Sequence, residues 1–140
     1  MSAKTEFSLQ FLINPTLAIK TGSSALVKSS NAFQVLVANT VVNVAASDMP
    51  ALTGTIPTAY TSTYAFQVDS AGALTVVKGN NVLTATGLSL SDLPATDRNK
   101  VTIGLVTVVN ATGSTFTGGT TALDTASLTV YYSNVNVSGL

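Results

Sequence analysis

The sequence predicts an all-β fold, an antiparallel β-sandwich or barrel of jelly-roll-like kind, with residues 1–14 as a possible N-terminal arm and residues 15–140 as one β domain. Three observations carry this. Period-two alternation and β-branched residues recur along the chain, helical periodicity is hard to find, and turn signals return every 8–12 residues or so. A chain of 140 residues is also long enough to bury one core without disulfides or metal.

Each element can be justified in order. Phe7, Leu9, Phe11 and Ile13 fall on one face of a strand with Ser8 and Gln10 on the other, and Pro15 closes it because it has no N–H for a ladder. Residues 17–20 and 25–28 read as short strands around the turn Thr21-Gly22-Ser23-Ser24. Residues 33–37 and 41–45 read as a second hairpin, with Asn39 suited to the left-handed backbone of a tight connection. Residues 47–60 contain Pro50, Gly54 and Pro57 and are expected to be the longest loop, any helical turn being confined to residues 48–52.

The clearest hairpin joins residues 64–68 to residues 73–77 through Asp69-Ser70-Ala71-Gly72. A turn at residues 78–81 and a polar connector at residues 89–100 follow, the latter holding Asp92, Asp97, Arg98 and Lys100. Residues 101–109 form the best core strand. Gly104 within it marks a bulge or a close approach of another backbone. The path then runs through residues 115–120 to a last strand at residues 127–132, about nine short strands in all.

Charge bounds the function. Six basic and six acidic residues make 9% of the chain, against ~25% in ordinary soluble domains, and they sum to zero. No basic field is available for nucleic acid, and no apolar run reaches the ~20 residues of a membrane helix, so neither nucleic acid nor membrane is expected as a partner. The beginning of the sequence lacks the basic and apolar regions of a secretory signal, so synthesis in the cytoplasm is expected.

With no His and no Cys, there is no imidazole base, thiolate nucleophile or Cys/His zinc site. Asp92 and Asp97 are the nearest carboxylate neighbours in that connector, and they read as solvated turn formers beside Arg98 and Lys100. Ser29 after Lys28 and Thr102 after Lys100 are chance pairings without a serine-lysine motif around them. Gly118-Gly119 lacks the Lys and helix of a phosphate loop, and Asp124 has no acidic neighbours for calcium. Asn110 and Asn136 match the glycosylation pattern without information in so Asn- and Thr-rich a chain. Tyr60, Tyr64, Tyr131 and Tyr132 read as core or edge residues by alternation. The expectation is a non-enzymatic protein without a cofactor.

The run Ile103-Gly104-Leu-Val-Thr-Val108, followed by Phe116-Thr-Gly-Gly119-Thr-Thr-Ala-Leu-Asp124 and by Leu128-Thr-Val-Tyr-Tyr132, resembles the C-terminal part of structural proteins of tailed bacteriophages. Phe66-Gln-Val-Asp69-Ser-Ala-Gly72-Ala-Leu-Thr-Val-Val-Lys-Gly79 resembles an upstream part of the same group, and the likeness spans roughly residues 19–132. The resemblance implies a virion component on the capsid surface: a head decoration or cement protein, or a small fibre, assembled as a homotrimer with the major capsid protein as partner. Phe7, Leu9, Phe11 and Ile13 are the expected partner-binding residues, as a strand added to a neighbour's sheet edge. The alternative is a receptor-binding or adhesin module of a tail fibre or cell surface.

Overall fold

A computed structural model describes residues 15–134 of the chain. The expected arm, with Phe7, Leu9, Phe11 and Ile13, lies outside the described residues. Among those described, the fold is all-β with every strand pair antiparallel, arranged as a sandwich whose sheets do not close into a barrel.

Eleven strands are present among the described residues: β1 Leu17–Ile19, β2 Val27–Ser29, β3 Phe33–Val37, β4 Thr40–Val44, β5 Thr55–Ile56, β6 Tyr60–Asp69, β7 Leu74–Lys78, β8 Val82–Leu83, β9 Lys100–Asn110, β10 Phe116–Thr117 and β11 Leu128–Asn134. The main sheet has the order β11-β9-β6-β7, with β8 pairing β6 beyond the end of β7. Three two-stranded units, β1-β2, β3-β4 and β5-β10, complete the fold.

Alternation builds the core. β3 buries Phe33, Val35 and Val37, and β4 buries Val42 and Val44. They join Tyr64, Phe66 and Val68 of β6 and Val106 and Val108 of β9 in one cluster that also takes in Leu17, Val27, Met49, Leu52, Ile56, Phe116 and Leu123. The β3-β4 connection is a two-residue turn in which Ala38 and Asn39 both have positive φ, 48° and 65°. That is the type I′ geometry, whose twist matches the flanking strands.

The opposite face of the main sheet is hydroxyl-rich. Thr61 Oγ1 lies 2.8 Å from Thr84 Oγ1, Thr63 Oγ1 2.9 Å from Thr107 Oγ1, and Thr102 Oγ1 2.7 Å from Thr96 Oγ1. Gln67, fully buried, donates from Nε2 to the Ala95 carbonyl at 3.0 Å and accepts the Asp97 N–H at 3.2 Å. The connector of residues 84–99 thus covers this face through hydrogen bonds rather than apolar packing. β6 is buried on both sides from Thr61 to Val68 as a result.

The register of β6 and β9 shifts by one residue: Phe66 faces Gly104, but Gln67 faces Thr102, leaving Ile103 as the extra residue of a β-bulge. Gly104 also makes a close approach, since a Cβ there would lie 2.3 Å from Leu17 Cδ1 and 3.3 Å from the Ser133 carbonyl oxygen. Of the two readings of Gly104 the bulge is realised, and the close approach differs from the one expected. Its nearest neighbour is a side chain rather than another backbone.

Other expectations are corrected. No helical turn occurs at residues 48–52. Met49 N–H donates to the Val27 carbonyl at 2.8 Å and Ser29 N–H to the Ser47 carbonyl at 2.9 Å, which draws this stretch alongside β2 as an isolated bridge between Lys28 and Asp48. β6 begins at Tyr60 rather than residue 64, because Thr61 and Thr63 line the hydroxyl face while Ser62 and Tyr64 continue the opposite one. The longest strand-free stretch is residues 84–99, not residues 47–60, which contain β5. Its short 3-10 helix, Leu90–Asp92, was not anticipated.

Candidate interaction surface

Most of the described charges are occupied within the fold. Lys20 Nζ lies 2.7 Å from Asp48 Oδ2, and Lys100 Nζ 3.5 Å from Asp97 Oδ2. Asp69 Oδ1 accepts the N–H groups of Ala71 and Ala73, both at 2.9 Å, and so shapes the β6-β7 turn. Asp124 Oδ2 accepts the Ser23 N–H at 2.8 Å, tying the loop before β11 to the β1-β2 turn. Asp92 accepts the Ser89 N–H at 3.0 Å and the Ser89 hydroxyl at 2.9 Å. Those bonds, the backbone one first, hold its carboxyl below the usual range. Lys78 donates to Gly79 O at 3.2 Å and to Asn81, and burial lowers its pKa.

The other residues singled out from the sequence also have structural partners. Ser29 Oγ accepts the Ser47 N–H at 3.2 Å, at the rim of a shallow, open depression that Lys28 and Asp48 also line. Thr102 faces Thr96, as above. A Cβ at Gly118 would lie 2.6 Å from the Leu52 carbonyl carbon, so this glycine is required by backbone packing. Gly119 has φ of 74° and supplies the expected turn. Asn110 is fully buried and donates from Nδ2 to the carbonyls of Ile56 and Ser114, both at 3.0 Å, so it anchors the β5-β10 unit to β9. No group of three His, Cys, Asp or Glu side chains gathers among the described residues.

Of the four tyrosines, Tyr64 is fully buried with its hydroxyl donating to the Thr53 carbonyl at 2.8 Å. Burial pushes its pKa well above the ordinary phenol value. Tyr60 and Tyr132 pack against the core, and burial together with the charge of Asp124 raises Tyr132. Tyr131 points outward and is 59% exposed.

Two features of the remaining surface are apolar or uncharged. Leu83, Leu88 and Leu90 are exposed on the segment from β8 to the 3-10 helix, Leu90 at 87%, and Val41 is exposed on β4. The second feature is the outer edge of β11. Its seven residues pair with β9 without a register shift, and it contains no Lys, Arg, Asp, Glu or Pro. Natural edge strands usually carry such guards. This edge was not foreseen from the sequence, because alternation marks a strand without saying which strand lies outermost. No family model, curated protein or solved structure matches the chain.

Proposed function

We propose that the protein is a structural virion component of a tailed bacteriophage, a homotrimer that decorates the capsid and stabilises it by bridging major capsid subunits. The supporting observation is the division of labour among side chains. Most charged groups, few to begin with, are used in turns, caps and ion pairs, while Leu83, Leu88, Leu90 and Tyr131 are left exposed. Uncharged surface with isolated apolar anchors suits a protein whose exterior is covered by neighbours, since desolvating it costs little. The resemblance of residues 103–132 to phage structural proteins supplies the kind of neighbour.

On this reading the protein performs no catalysis. It acts by filling joints between capsid subunits, so that outward pressure on the shell must also separate trimer from capsid. The test is co-sedimentation of purified protein with expanded capsids that lack it, compared with unexpanded ones. Saturable binding to expanded capsids alone is the expected result. Binding to intact host cells without binding to capsids would replace this reading with the adhesin alternative.

A further inference from the structure

We infer that residues 84–99 form a detachable strap, which lifts from the main sheet as one unit while the sandwich beneath stays folded and so bares the face of Thr61, Gln67 and Thr102. This goes beyond the proposed function, and it stands whether or not the protein binds capsids.

The strap is fastened by hydrogen bonds. Among the described residues, the apolar cluster and the side chains packed against it include none from residues 84–99. The fastenings run from end to end. Thr84 N–H donates to the Ala59 carbonyl at 2.9 Å, and its Oγ1 meets that of Thr61. In the middle, Asn80 N–H donates to the Asp92 carbonyl at 3.2 Å. Toward β9, Gln67 holds the Ala95 carbonyl and the Asp97 N–H, and Thr96 meets Thr102. The sheet's partners in these contacts are hydroxyls, backbone groups and an amide. Lifting the strap therefore exposes groups that bond to water in its place, and the free energy of opening lies below that of unfolding the apolar core.

Bonds within the strap let it move as a piece. Thr86 and Gly87 donate their N–H groups to the Leu83 carbonyl at 3.0 and 3.2 Å, and Ser89 and Asp92 bond to each other across the 3-10 helix. Residues 84 and 99 adjoin β8 and β9, and such element-terminal positions take up the rotation of a hinge. Gly79 marks how closely the strap is seated. A Cβ there would lie 2.4 Å from the Asp92 carbonyl oxygen and 3.2 Å from Pro94 Cδ, with the Thr63 carbonyl oxygen of β6 at 3.0 Å on the other side. Leu88 and Leu90 stand exposed on the strap, so two apolar anchors of the candidate surface ride on the part that lifts.

Hydrogen exchange of the full chain reads the opening through the N–H groups of Asn80, Thr84 and Asp97, held at three separate points of the strap. The expected result is one shared protection factor, equal within about threefold for the three and at least ~100-fold below those of the amides that pair β6 with β9. Because the chain has no native cysteine, Thr61→Cys with Thr84→Cys can staple one end through positions whose hydroxyls stand 2.8 Å apart. Oxidation should slow exchange of the Asp97 N–H, at the far end, by roughly tenfold, and reduction should restore it. Gly79→Ala, a wedge under the strap, should speed all three by roughly tenfold and leave the β6-β9 amides unchanged. Protection of the three amides equal to that of the β6-β9 pairing overturns the inference, as does a staple that slows Thr84 and leaves Asp97 unchanged. Where a variant does not fold, the parent chain decides: shared, low protection supports the strap, and separate or core-like values overturn it.

Discussion

Gly104 and Leu17 occupy what would otherwise be the same space: the position of a Gly104 Cβ lies 2.3 Å from Leu17 Cδ1. The missing side chain on β9 is the seat of β1. Leu17 is buried there, and its N–H holds Asn134 of β11 at the same corner. Gly104→Ala should therefore destabilise the protein by about 1–3 kcal/mol through overpacking. Adding Leu17→Ala should give a double variant less destabilised than the sum of the two single changes, because each relieves the other's misfit. Urea denaturation of the two single variants and the double variant measures this, and strict additivity would show that the two residues do not compete for space.

Ala38 offers the reverse case. It occupies the left-handed region with φ of 48°, where a Cβ crowds the following carbonyl. Ala38→Gly should remove that strain and raise stability by about 1 kcal/mol, seen as an increase of a few degrees in Tm. Ala38→Val should lower it by at least as much, since β-branching makes positive φ costlier still.

Gln67 joins the sheet to its polar cover through both ends of its amide. Gln67→Ala would strand the Ala95 carbonyl and the Asp97 N–H against an apolar methyl, and a loss of about 2–3 kcal/mol is expected. Hydrogen exchange should accelerate selectively between residues 90 and 99 while the amides of β3 and β4 stay protected. Uniform acceleration would mean that the connector does not open separately.

Tyr64 sets an alkaline limit. Burial raises its pKa in the folded state, whereas the unfolded chain titrates near pH ~10. The neutral phenol is therefore favoured by folding, and its contribution is full below pH ~10 and declines as pH rises beyond it. Tyr132, raised in the same direction, adds to the effect. At pH 7 Tyr64→Phe should cost about 1–2 kcal/mol, for the bond to the Thr53 carbonyl. Between pH 7 and pH 11 it should lose less stability than the parent. Equal losses in both proteins would place the alkaline sensitivity elsewhere.

How legible these features were depends on how local their causes are. The β3-β4 and β6-β7 hairpins stand out in the sequence because alternation and turn residues sit side by side, and β9 because its β-branched run is long. Gly104 could be flagged, but its partner Leu17 could not, being 87 positions away in the chain. The same holds for the cover over the second face. Thr61, Thr63, Thr102 and Thr107 read as the solvent side of their strands until residues 84–99 are seen lying over them. Of the candidate contact surface, the exposed leucines were invisible because hydrophobicity alone reads as core. The edge position of β11 follows from topology and from no residue in it. Phe7, Leu9, Phe11 and Ile13 alternate as a strand would in the sequence, and they lie outside the described residues.

The extra residue at Ile103 gives β9 something like a reading frame. On its far side Val101 faces Val68 and Thr102 faces Gln67, each with its own kind. Threaded into the ladder instead of set aside, Ile103 would face Gln67 and push Thr102 onto Val68, a hydroxyl pressed into oil. Deleting it would leave Thr102 opposite Gln67 and Val101 opposite Val68 in an unbroken ladder. Descendants of this chain could therefore lose Ile103 and keep Val101 and Thr102 as they are.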